Sequence, residues 1–407
     1  MTKAARRLKD ASFAYRMLYK YARFAFKLFY TNLVIRGSEQ IPADKPLIFA
    51  SNHQNALMDA LAMLFAANRP VFFLARADLF KNPFFARILT FLKIMPVFRP
   101  RDQVDIVSEN KEVFHETARL ISLGQPMGIL PEGTYTPDKR LQTLKKGICR
   151  MAFEAAEATG FTMDLHIVPT GLDYSDYHRQ GSDLLIIFGD PIKVSDYYEL
   201  YKTNPNRALT VLRDTLAESI RGLMINIDIP EEYDFIYNYS QEETKKYLRT
   251  LEGRMPAHDF IIVRFNKMKE ESEKLKLLCR NNPEAYTALK ETRPDLQQKL
   301  KKSKSGLFGL QGNAESRSGS LIKRNLFGLL SLAAYILNFL PFTLSHYYSG
   351  KVKDKQFVGT MKYGTGLVFF PLWYLLLFVV LIPFIGVLTG TIITLIALTM
   401  AVLALSR

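Results

Sequence analysis

The C-terminal part of the chain carries the strongest constraint on its fold: the 44 residues of 363–406 include no Asp, Glu, Lys or Arg. A helix that spans a bilayer needs about 20 apolar residues, so this run is long enough to cross twice. Pro383, Gly386 and Gly390 lie near its middle and are predicted to form the turn between the two crossings. Either half alone also suits a buried helix of a soluble protein, but so long an uncharged run favours a membrane.

A second uncharged run, residues 325–350, precedes it. This run can cross the bilayer once, or it can enter and return with a turn at Asn338 and Pro341. Basic residues stand on both sides of it: Lys323, Arg324, Lys351, Lys353, Lys355 and Lys362. Basic flanks favour the cytoplasmic side of a membrane. They therefore favour re-entry over a single crossing, and both possibilities stay open.

The N-terminal segment, residues 1–31, combines basic and aromatic side chains in a helical pattern. Residues 3–30 interleave aromatic residues with basic ones, among them Phe13, Phe24, Phe26, Arg16, Lys20, Arg23 and Lys27. Such a helix can lie in a membrane interface, with its basic groups at anionic headgroups. The alternative is a helix packed on the following domain. Because no apolar segment with a cleavage site follows, the catalytic part is expected on the cytoplasmic face.

Charge and cysteine content limit the classes of partner. The chain has 54 Lys and Arg against 39 Asp and Glu, a net charge of +15. This balance favours nucleic acid, an anionic membrane face or a phosphate-bearing substrate. The basic residues stand beside aromatic and uncharged segments, which favours membrane lipids and no nucleic acid. Cys149 and Cys279 are the two cysteines, so neither a disulfide framework nor a cysteine zinc site is expected.

Residues 32–230 alternate short apolar runs with helical patterns. The predicted strands are 33–36, 46–51, 70–75, 127–130, 165–170 and 184–188, and the clearest helices are 58–67, 103–123 and 145–159. This alternation is typical of an α/β fold in which helices flank a mixed or largely parallel sheet. Residues 231–322 follow as a polar helical segment with a Gly-, Ser- and Lys-rich linker at 301–320, and 323–407 form the predicted membrane-embedded helices.

His53 and Asp59 follow the buried strand predicted at 46–51. A neutral histidine can take a proton near pH 7, and a carboxylate on its other ring nitrogen fixes the tautomer. The two residues are therefore a candidate general base and its orienting group. A histidine near an aspartate is also common as a hydrogen-bonded structural pair, so the surrounding motifs decide between the two interpretations.

Three further blocks follow in order: 73–102, 130–147 and 167–171. The second opens with Leu-Pro-Glu-Gly-Thr, and the third reads Ile-Val-Pro-Thr-Gly. Glu-Gly-Thr after an apolar strand gives a tight turn with exposed amides and a hydroxyl, which suits phosphate or hydroxyl binding. Basic residues that fall within these blocks include Arg76, Arg99, Arg101, Lys145 and Lys146. Taken singly, each block also has an interpretation as an ordinary turn.

In this order, the Asn-His…Asp, Pro-Glu-Gly-Thr and Val-Pro motifs resemble the glycerolipid acyltransferase superfamily, which includes lysophosphatidate and glycerol-3-phosphate acyltransferases. The resemblance covers about residues 32–195. Five residues separate His53 from Asp59 where the family usually has four, so the His–Asp geometry needs a wider turn here. Tyr135 and Thr136 stand where the family commonly has Arg-Ser. Both departures look similar to fungal-type glycerol-3-phosphate and dihydroxyacetone-phosphate acyltransferases.

The resemblance implies an enzyme of phospholipid biosynthesis that moves a fatty acyl group from a thioester carrier to the hydroxyl of glycerol-3-phosphate or of a lysophospholipid such as lysophosphatidate. It implies His53 and Asp59 as catalytic residues. The implied substrate-binding residues are Arg76, Arg99, Arg101, Glu132, Gly133, Thr134, Lys145 and Lys146. Acyl-CoA or acyl-carrier protein would be the co-substrate, and neither a metal nor another cofactor is expected. The alternative is a non-catalytic, membrane-anchored lipid-binding or scaffolding protein on the same fold.

Overall fold

The computed structural model describes residues 12–97, 106–251, 255–297 and 332–405. The strands are β1 Tyr30–Arg36, β2 Leu47–Ser51, β3 Phe72–Arg76, β4 Ile94–Val97, β5 Met127–Ile129, β6 His166–Tyr174, β7 Ser182–Phe188 and β8 Ile192–Lys193. Many are runs of Val, Ile, Leu and Phe, which suit a pleated and buried surface. The six strands predicted from the sequence are all present with bounds that differ by a few residues, whereas the sequence pattern predicts neither β4 nor β8.

All eight strands belong to one sheet, in the order β1-β7-β6-β2-β5-β3-β4 with β8 beside β6. β2 is parallel to β5 and to β6, and β3 is parallel to β4 and to β5. β8 runs antiparallel to β6. The predicted α/β fold with a mixed, largely parallel sheet is therefore confirmed. Because β2 and β5 are parallel, the residues that follow them in the chain lie at the same edge of the sheet.

Within the described residues the helices are α1 Phe13–Phe29, α2 Ala56–Ala66, α3 Pro83–Phe91, α4 Ile106–Ser122, α5 Gly147–Ala158, α6 Tyr198–Thr203, α7 Pro205–Gly222, α8 Tyr233–Arg249, α9 Ala257–Asn281, α10 Pro283–Thr292, α11 Phe339–Gly350 and α12 Val358–Leu405. Short 3₁₀ turns lie at Ser38–Gln40, Ala77–Phe80, Val194–Tyr197, Pro230–Glu232, Pro294–Leu296 and Lys355–Phe357. The predicted helices at 58–67, 103–123 and 145–159 correspond to α2, α4 and α5, although residues 103–105 lie outside the described part.

The chain divides into two compact units, of which the first comprises Met1–Tyr21, Ile35–Leu172 and Ile186–Met224. Its core lies where α5 and α7 pack beside the strands. On α7, the buried apolar side chains recur at helical spacing: Leu209, Leu212, Leu216 and Ile220. Burial of one such side chain stabilises a fold by about 1.5–3 kcal/mol. This core holds the strands whose ends carry His53 and the Glu-Gly-Thr turn.

The second unit comprises Ala22–Val34, Asp173–Leu185 and Ile225–Arg407. Its polar helices α8 to α10 agree with the helical pattern predicted for residues 231–300. These helices are not exposed to solvent on every side. Arg264 of α9 donates to Asp173 at 3.3 Å and lies 3.7 Å from a carboxylate oxygen of Asp183. Both aspartates are buried. Buried carboxylates of this kind require a cationic or hydrogen-bonding partner.

Helix α1 has one buried face and one exposed apolar face. Tyr15 and Phe26 are buried. The exposed apolar residues, spaced three or four apart, are Phe13, Met17, Tyr21 and Phe24. The basic residues Arg16, Lys20 and Lys27 are also exposed. The helix thus packs through one face, as the second alternative expects. Its exposed apolar and basic residues are compatible with a membrane interface, which stays a prediction.

Near the C-terminus, one helix among the described residues is long and apolar enough to cross a membrane, Lys355–Val402. Its helical geometry breaks at Gly386, with φ 76° and ψ 163°, a conformation that favours glycine. A Cβ placed on Gly390 would lie 3.5 Å from the Cβ of Leu381. In a continuous helix nine residues span about 13 Å. The chain therefore turns back at Gly386, within the turn predicted from the sequence.

Asn338 joins the two limbs of this hairpin. Its buried side-chain amide donates to the carbonyl oxygen of Ala397 at 3.0 Å and accepts from the hydroxyl of Tyr374 at 2.9 Å. Asn338 also interrupts the helix before α11, with φ −119°, at the position where the sequence allows a re-entrant turn. Residues 325–331 of that run lie outside the described part, so spanning and re-entry both stay predictions.

Some predictions fall on residues that the structure does not describe. These are residues 1–11, the linker at 301–320, Arg99 and Arg101. The domain boundaries drawn from the sequence, 1–31, 32–230, 231–322 and 323–407, also stay predictions. The two compact units are assembled from separated segments, which a division drawn along the sequence cannot represent.

Candidate active site

The candidate site begins where β2 ends. All five residues of β2 are buried, and His53 follows it by two positions. Nδ1 of His53 lies 2.9 Å from Oδ2 of Asp59, in the first turn of α2. The imidazole is 17% exposed and the carboxylate is fully buried. Since an ionised carboxylate only accepts hydrogen bonds, Nδ1 carries the proton and Nε2 is left with a free lone pair. This is the arrangement that a general base requires.

Asp59 also organises the turn between β2 and α2. Its Oδ2 accepts hydrogen bonds from the backbone amides of Gln54 at 2.8 Å and Asn55 at 2.7 Å. Ala56 has a φ of 44°, an uncommon value for a residue other than glycine. The turn that widens the His–Asp separation is thus folded around the carboxylate. The five intervening residues are compatible with direct contact between His53 and Asp59.

Asn52 fixes the segment from the other side. Its side chain is fully buried. The amide nitrogen donates to the carbonyl oxygen of Leu172 at 3.0 Å, and the amide oxygen accepts from the Leu172 backbone amide at 2.8 Å. These two bonds continue the pairing of β2 with β6, in which Ser51 lies beside Thr170. Asn52 therefore fixes the backbone immediately before His53 to the neighbouring strand.

Glu132, in the loop after β5, fixes the backbone at His53 itself. One carboxylate oxygen accepts from the His53 amide at 2.6 Å, and the other accepts from the Gln142 amide at 2.8 Å. Glu132 is 1% exposed. Both of its oxygens are thus occupied by the protein's own backbone, which differs from the substrate contact implied for this residue by the sequence. Burial raises the pKa of Glu132 to about 7, against the lowering effect of these two hydrogen bonds.

The same loop surrounds His53 with further contacts. The amide of Thr136 donates to the carbonyl oxygen of His53 at 3.3 Å. The side chain of Gln54 donates to the carbonyl oxygen of Asp138 at 2.9 Å. The ring of Tyr135 meets the imidazole edge-on, with 6.2 Å between the ring centroids. The loop after β5 and the turn after β2 therefore form one hydrogen-bonded structure around the candidate base.

Comparison with known proteins agrees with this arrangement, because residues 32–173 match the family model described as Acyltransferase. This part of the chain is therefore similar to the acyltransferase family. The 1-acyl-sn-glycerol-3-phosphate acyltransferase BAT2, chloroplastic, of Brassica napus is 28% identical to this chain over 190 residues, which are 46% of this chain and 50% of the relative. The glycerol-3-phosphate O-acyltransferase 2 of Saccharomyces cerevisiae is 29% identical over 119 residues, 29% of this chain and 16% of the relative.

Among solved structures, the 1-acyl-sn-glycerophosphate acyltransferase PlsC from Thermotoga maritima is similar with a TM-score of 0.37 and 21% identity, over 51% of this chain and 77% of that chain. The chain spans about half the length of the plant relatives that it matches. Residues 32–173, which match the family model, contain both His53 and Glu132.

Within residues 32–173, the structure separates the predicted substrate-binding cations that it describes. Arg76 is paired with Asp78, with Nε 3.0 Å from Oδ1. Lys146 donates to the hydroxyl of Thr210 at 2.8 Å. Lys145 is exposed, and its stem lies beside Gly133, where an added Cβ would be 3.5 Å from Lys145 Cγ. Of the predicted cations that the structure describes, Lys145 is therefore the one placed directly at the Glu-Gly-Thr turn.

That turn is tight, as expected, but the amide of Gly133 is occupied within it. Gly133 has a φ of 67°, and its amide closes the turn by donating to the carbonyl oxygen of Leu130 at 3.2 Å. Thr134 is exposed, so its hydroxyl is available to a ligand. Among the described residues, no group of three or more His, Cys, Asp or Glu could hold a metal ion.

The raised pKa of Glu132 makes a prediction about stability. The pKa of its carboxyl group is about 7 in the folded protein against an ordinary 4.5, so the folded state holds the proton more strongly than the unfolded state. The corresponding stabilisation is complete below about pH 4.5 and is lost as the pH rises through about 7. Glu132→Gln does not titrate. We therefore expect the free energy of unfolding of wild type relative to this variant to fall by about 3 kcal/mol across that window.

Urea titrations in detergent at several pH values measure this difference. Glu218→Gln on the exposed face of α7 is the matched control, since its side chain is 78% exposed. Its curve should stay parallel to that of the wild type. Parallel curves for Glu132→Gln as well would contradict the assignment of this pH dependence to Glu132.

Sequence reasoning identified His53, Asp59 and the Glu-Gly-Thr turn, and the structure brings all of them together. Sequence reasoning did not identify the roles of Asn52, Gln54 and Gln142. Asn52 stands inside the motif, and its position directly after a buried strand could have indicated a strand-end clamp. Gln142 acts through its backbone amide, and for such a contact the side-chain sequence gives no signal.

Proposed function

We propose that the chain is a glycerolipid O-acyltransferase that moves a fatty acyl group from a thioester carrier to a hydroxyl of glycerol-3-phosphate or of a lysophospholipid such as lysophosphatidate. The observation that carries the proposal is the contact of His53 with the buried Asp59. It leaves Nε2 as an unoccupied base at the carboxyl end of a parallel strand, inside the segment that matches the family.

In the proposed reaction, Nε2 of His53 takes the proton from the acceptor hydroxyl. The oxygen attacks the thioester carbonyl carbon, so that a C–O bond forms while the C–S bond breaks. The leaving thiolate receives the proton back from the imidazolium. Asp59 holds the ring in position and stabilises the positive charge that develops on it. The thioester is the co-substrate, and the reaction as written needs neither a metal nor another cofactor.

Two kinds of relative support a phosphate-bearing acceptor. The Brassica relative is named for 1-acyl-sn-glycerol-3-phosphate, and the yeast relative for glycerol-3-phosphate. In this chain, exposed Lys145 beside Gly133 supplies a cation near the candidate base. The exposed hydroxyl of Thr134 in the Glu-Gly-Thr turn adds a neutral donor. A glycerol compound that carries a phosphate and a free hydroxyl fits this combination.

Membrane attachment is part of the proposal. The hairpin within α12 is uncharged over residues 363–406, and many of its large apolar side chains are exposed, including Phe384 and Leu388. The exposed apolar and basic faces of α1 suit an anionic membrane surface. We propose that the catalytic domain stands at the cytoplasmic face, where acyl thioesters and glycerol phosphates are available.

The non-catalytic alternative drew its support from the altered His–Asp spacing. In the structure, the wider turn places Nδ1 of His53 at 2.9 Å from Asp59 all the same. The spacing is therefore no reason to expect an inactive site.

An acceptor panel tests the proposal. The full-length protein, reconstituted in lipid vesicles, is given a radiolabelled acyl-CoA or acyl-carrier protein with glycerol-3-phosphate, lysophosphatidate or diacylglycerol. We expect label in a new phospholipid with one of the two phosphate-bearing acceptors, and the same rate with EDTA present. Label only in diacylglycerol products would refute the glycerol-phosphate assignment. Absence of ester with every acceptor, from protein that remains folded, would favour the non-catalytic alternative.

A further inference from the structure

The family's usual arginine after Glu-Gly-Thr is replaced in this chain by Tyr135. Of the cations predicted to bind substrate, Arg76 is paired with Asp78 and Lys146 is bonded to Thr210. Exposed Lys145 is a single flexible ammonium, which binds phosphate as a point charge. Among the predicted cations that the structure describes, the guanidinium is that of Arg76, and it is already paired. A second guanidinium, able to grip phosphate through two parallel hydrogen bonds, is not found among these described cations.

Arg140 has the properties that this set lacks. It is half-buried. Its Nε is inaccessible to solvent and has no hydrogen-bond partner within the described part of the chain. An ion pair of its guanidinium is likewise absent among the described residues. A buried donor without a partner is costly, so such a group calls for an explanation, and a bound ion is one of them.

The backbone on both sides of Arg140 is attached to the candidate site. Two positions earlier, the carbonyl oxygen of Asp138 accepts from the side chain of Gln54 at 2.9 Å. Two positions later, the amide of Gln142 donates to Glu132 at 2.8 Å. The amide of Arg140 itself donates to Asp138 at 2.7 Å, which makes a tight turn. Arg140 therefore stands midway along a segment that is held at the residues next to His53.

We propose that Arg140 binds the phosphate of the acyl acceptor, taking the role of the arginine that Tyr135 replaces. This inference rests on the proposed function and adds a specificity-determining residue to it. The bound phosphate would accept from the terminal nitrogens of the half-buried guanidinium, and Lys145 would add a second positive charge at the Glu-Gly-Thr turn. Charge-assisted bonds to a guanidinium are about twice as strong as neutral ones, so one residue can carry much of the preference for a phosphorylated acceptor.

The test uses Arg140→Met, which keeps most of the side-chain volume, and Arg140→Lys, which keeps the charge. Arg150→Met is the matched control, because Arg150 is exposed on α5. In full-length protein reconstituted in vesicles, we expect Arg140→Met to raise the acceptor KM about 10- to 100-fold, as loss of a charged hydrogen bond of roughly 1.5–3 kcal/mol predicts. The acyl-donor KM should stay within about twofold. Arg140→Lys should recover part of the loss.

A thermal melt separates binding from a structural role. Removal of an unpartnered buried donor should leave the melting temperature unchanged or raise it, whereas loss of a structural arginine would lower it. An unchanged acceptor KM in active Arg140→Met would overturn the assignment of Arg140 and leave the proposed function intact. An equal rise in both KM values, or a fall in melting temperature with no change in the KM ratio, would also overturn it. A wild-type protein that acylates no acceptor would instead refute the proposed function.

Discussion

The His53→Ala variant is expected to transfer acyl groups about 10²- to 10⁴-fold more slowly than the wild type, because general base catalysis accelerates reactions by that factor. Nδ1 of His53 is hydrogen-bonded to the buried carboxylate of Asp59, so Nε2 is the ring nitrogen left to act as the base. Without it, the acceptor hydroxyl must lose its proton to water. The loss should fall on kcat, while the KM values of both substrates change little.

Initial rates in lipid vesicles measure this effect with the acceptor that the panel identifies. His115→Ala is the matched control, because His115 is exposed on α4 and lies outside the motif. Its rate should equal that of the wild type. Circular dichroism and vesicle flotation show whether His53→Ala remains folded and membrane-bound. A loss smaller than tenfold in the folded variant would exclude His53 as the general base.

Much of the fold was predictable because its signals are local. Short apolar runs separated by helical periodicity define the strands of the sheet, and β2 is buried at every position. β8 has two residues and β4 contains Pro96, so neither forms a run that a pattern can detect. Both depend on pairing with a longer neighbour, which is a tertiary effect.

The sequence predicts which residues form the candidate site, but it predicts their hydrogen-bond partners less well. His53 and Asp59 are close in sequence, so one turn decides their contact. Glu132 was expected to touch substrate, yet its partners are the backbone amides of His53 and Gln142. Residue types alone do not reveal backbone partners. The same limit applies to Arg140, because its importance comes from the contacts that its side chain lacks in the described structure.

For the C-terminal hairpin, composition predicts the apolar environment and the turn, but not the polar contact that joins the limbs. Composition alone requires an apolar environment for residues 363–406, and Gly386 provides the turn. The pattern indicates Asn338 only as a possible turn, and it does not reveal that the buried amide of Asn338 bonds to both limbs. A polar group between apolar helices is costly unless it is satisfied, and here the partners come from segments that are distant in the chain.

Asp59→Asn is expected to lower the rate of transfer by about 10²- to 10⁴-fold, depending on how the new amide is oriented. Oδ2 of Asp59 accepts from the amides of Gln54 and Asn55 as well as from His53. With its amide oxygen in that place, Asn keeps the turn and the tautomer but removes the charge that stabilises the imidazolium. A loss of 1.36 kcal/mol in transition-state stabilisation is tenfold in rate. If the amide nitrogen faces Nδ1, the wrong tautomer results and the loss reaches about 10⁴-fold.

Asp59→Ala separates the two roles of the carboxylate. It leaves the amides of Gln54 and Asn55 without an acceptor, and each buried unsatisfied donor costs about 1–3 kcal/mol. We therefore expect Asp59→Ala to melt at a lower temperature than the wild type, and Asp59→Asn to melt near it. Asp214→Asn, on the exposed surface of α7 with a side chain that is 59% exposed, is the control and should match the wild type in rate and stability. Near-wild-type transfer by Asp59→Asn would mean that some other group orients His53. Asp59 would then have a structural role only, in holding the turn between β2 and α2.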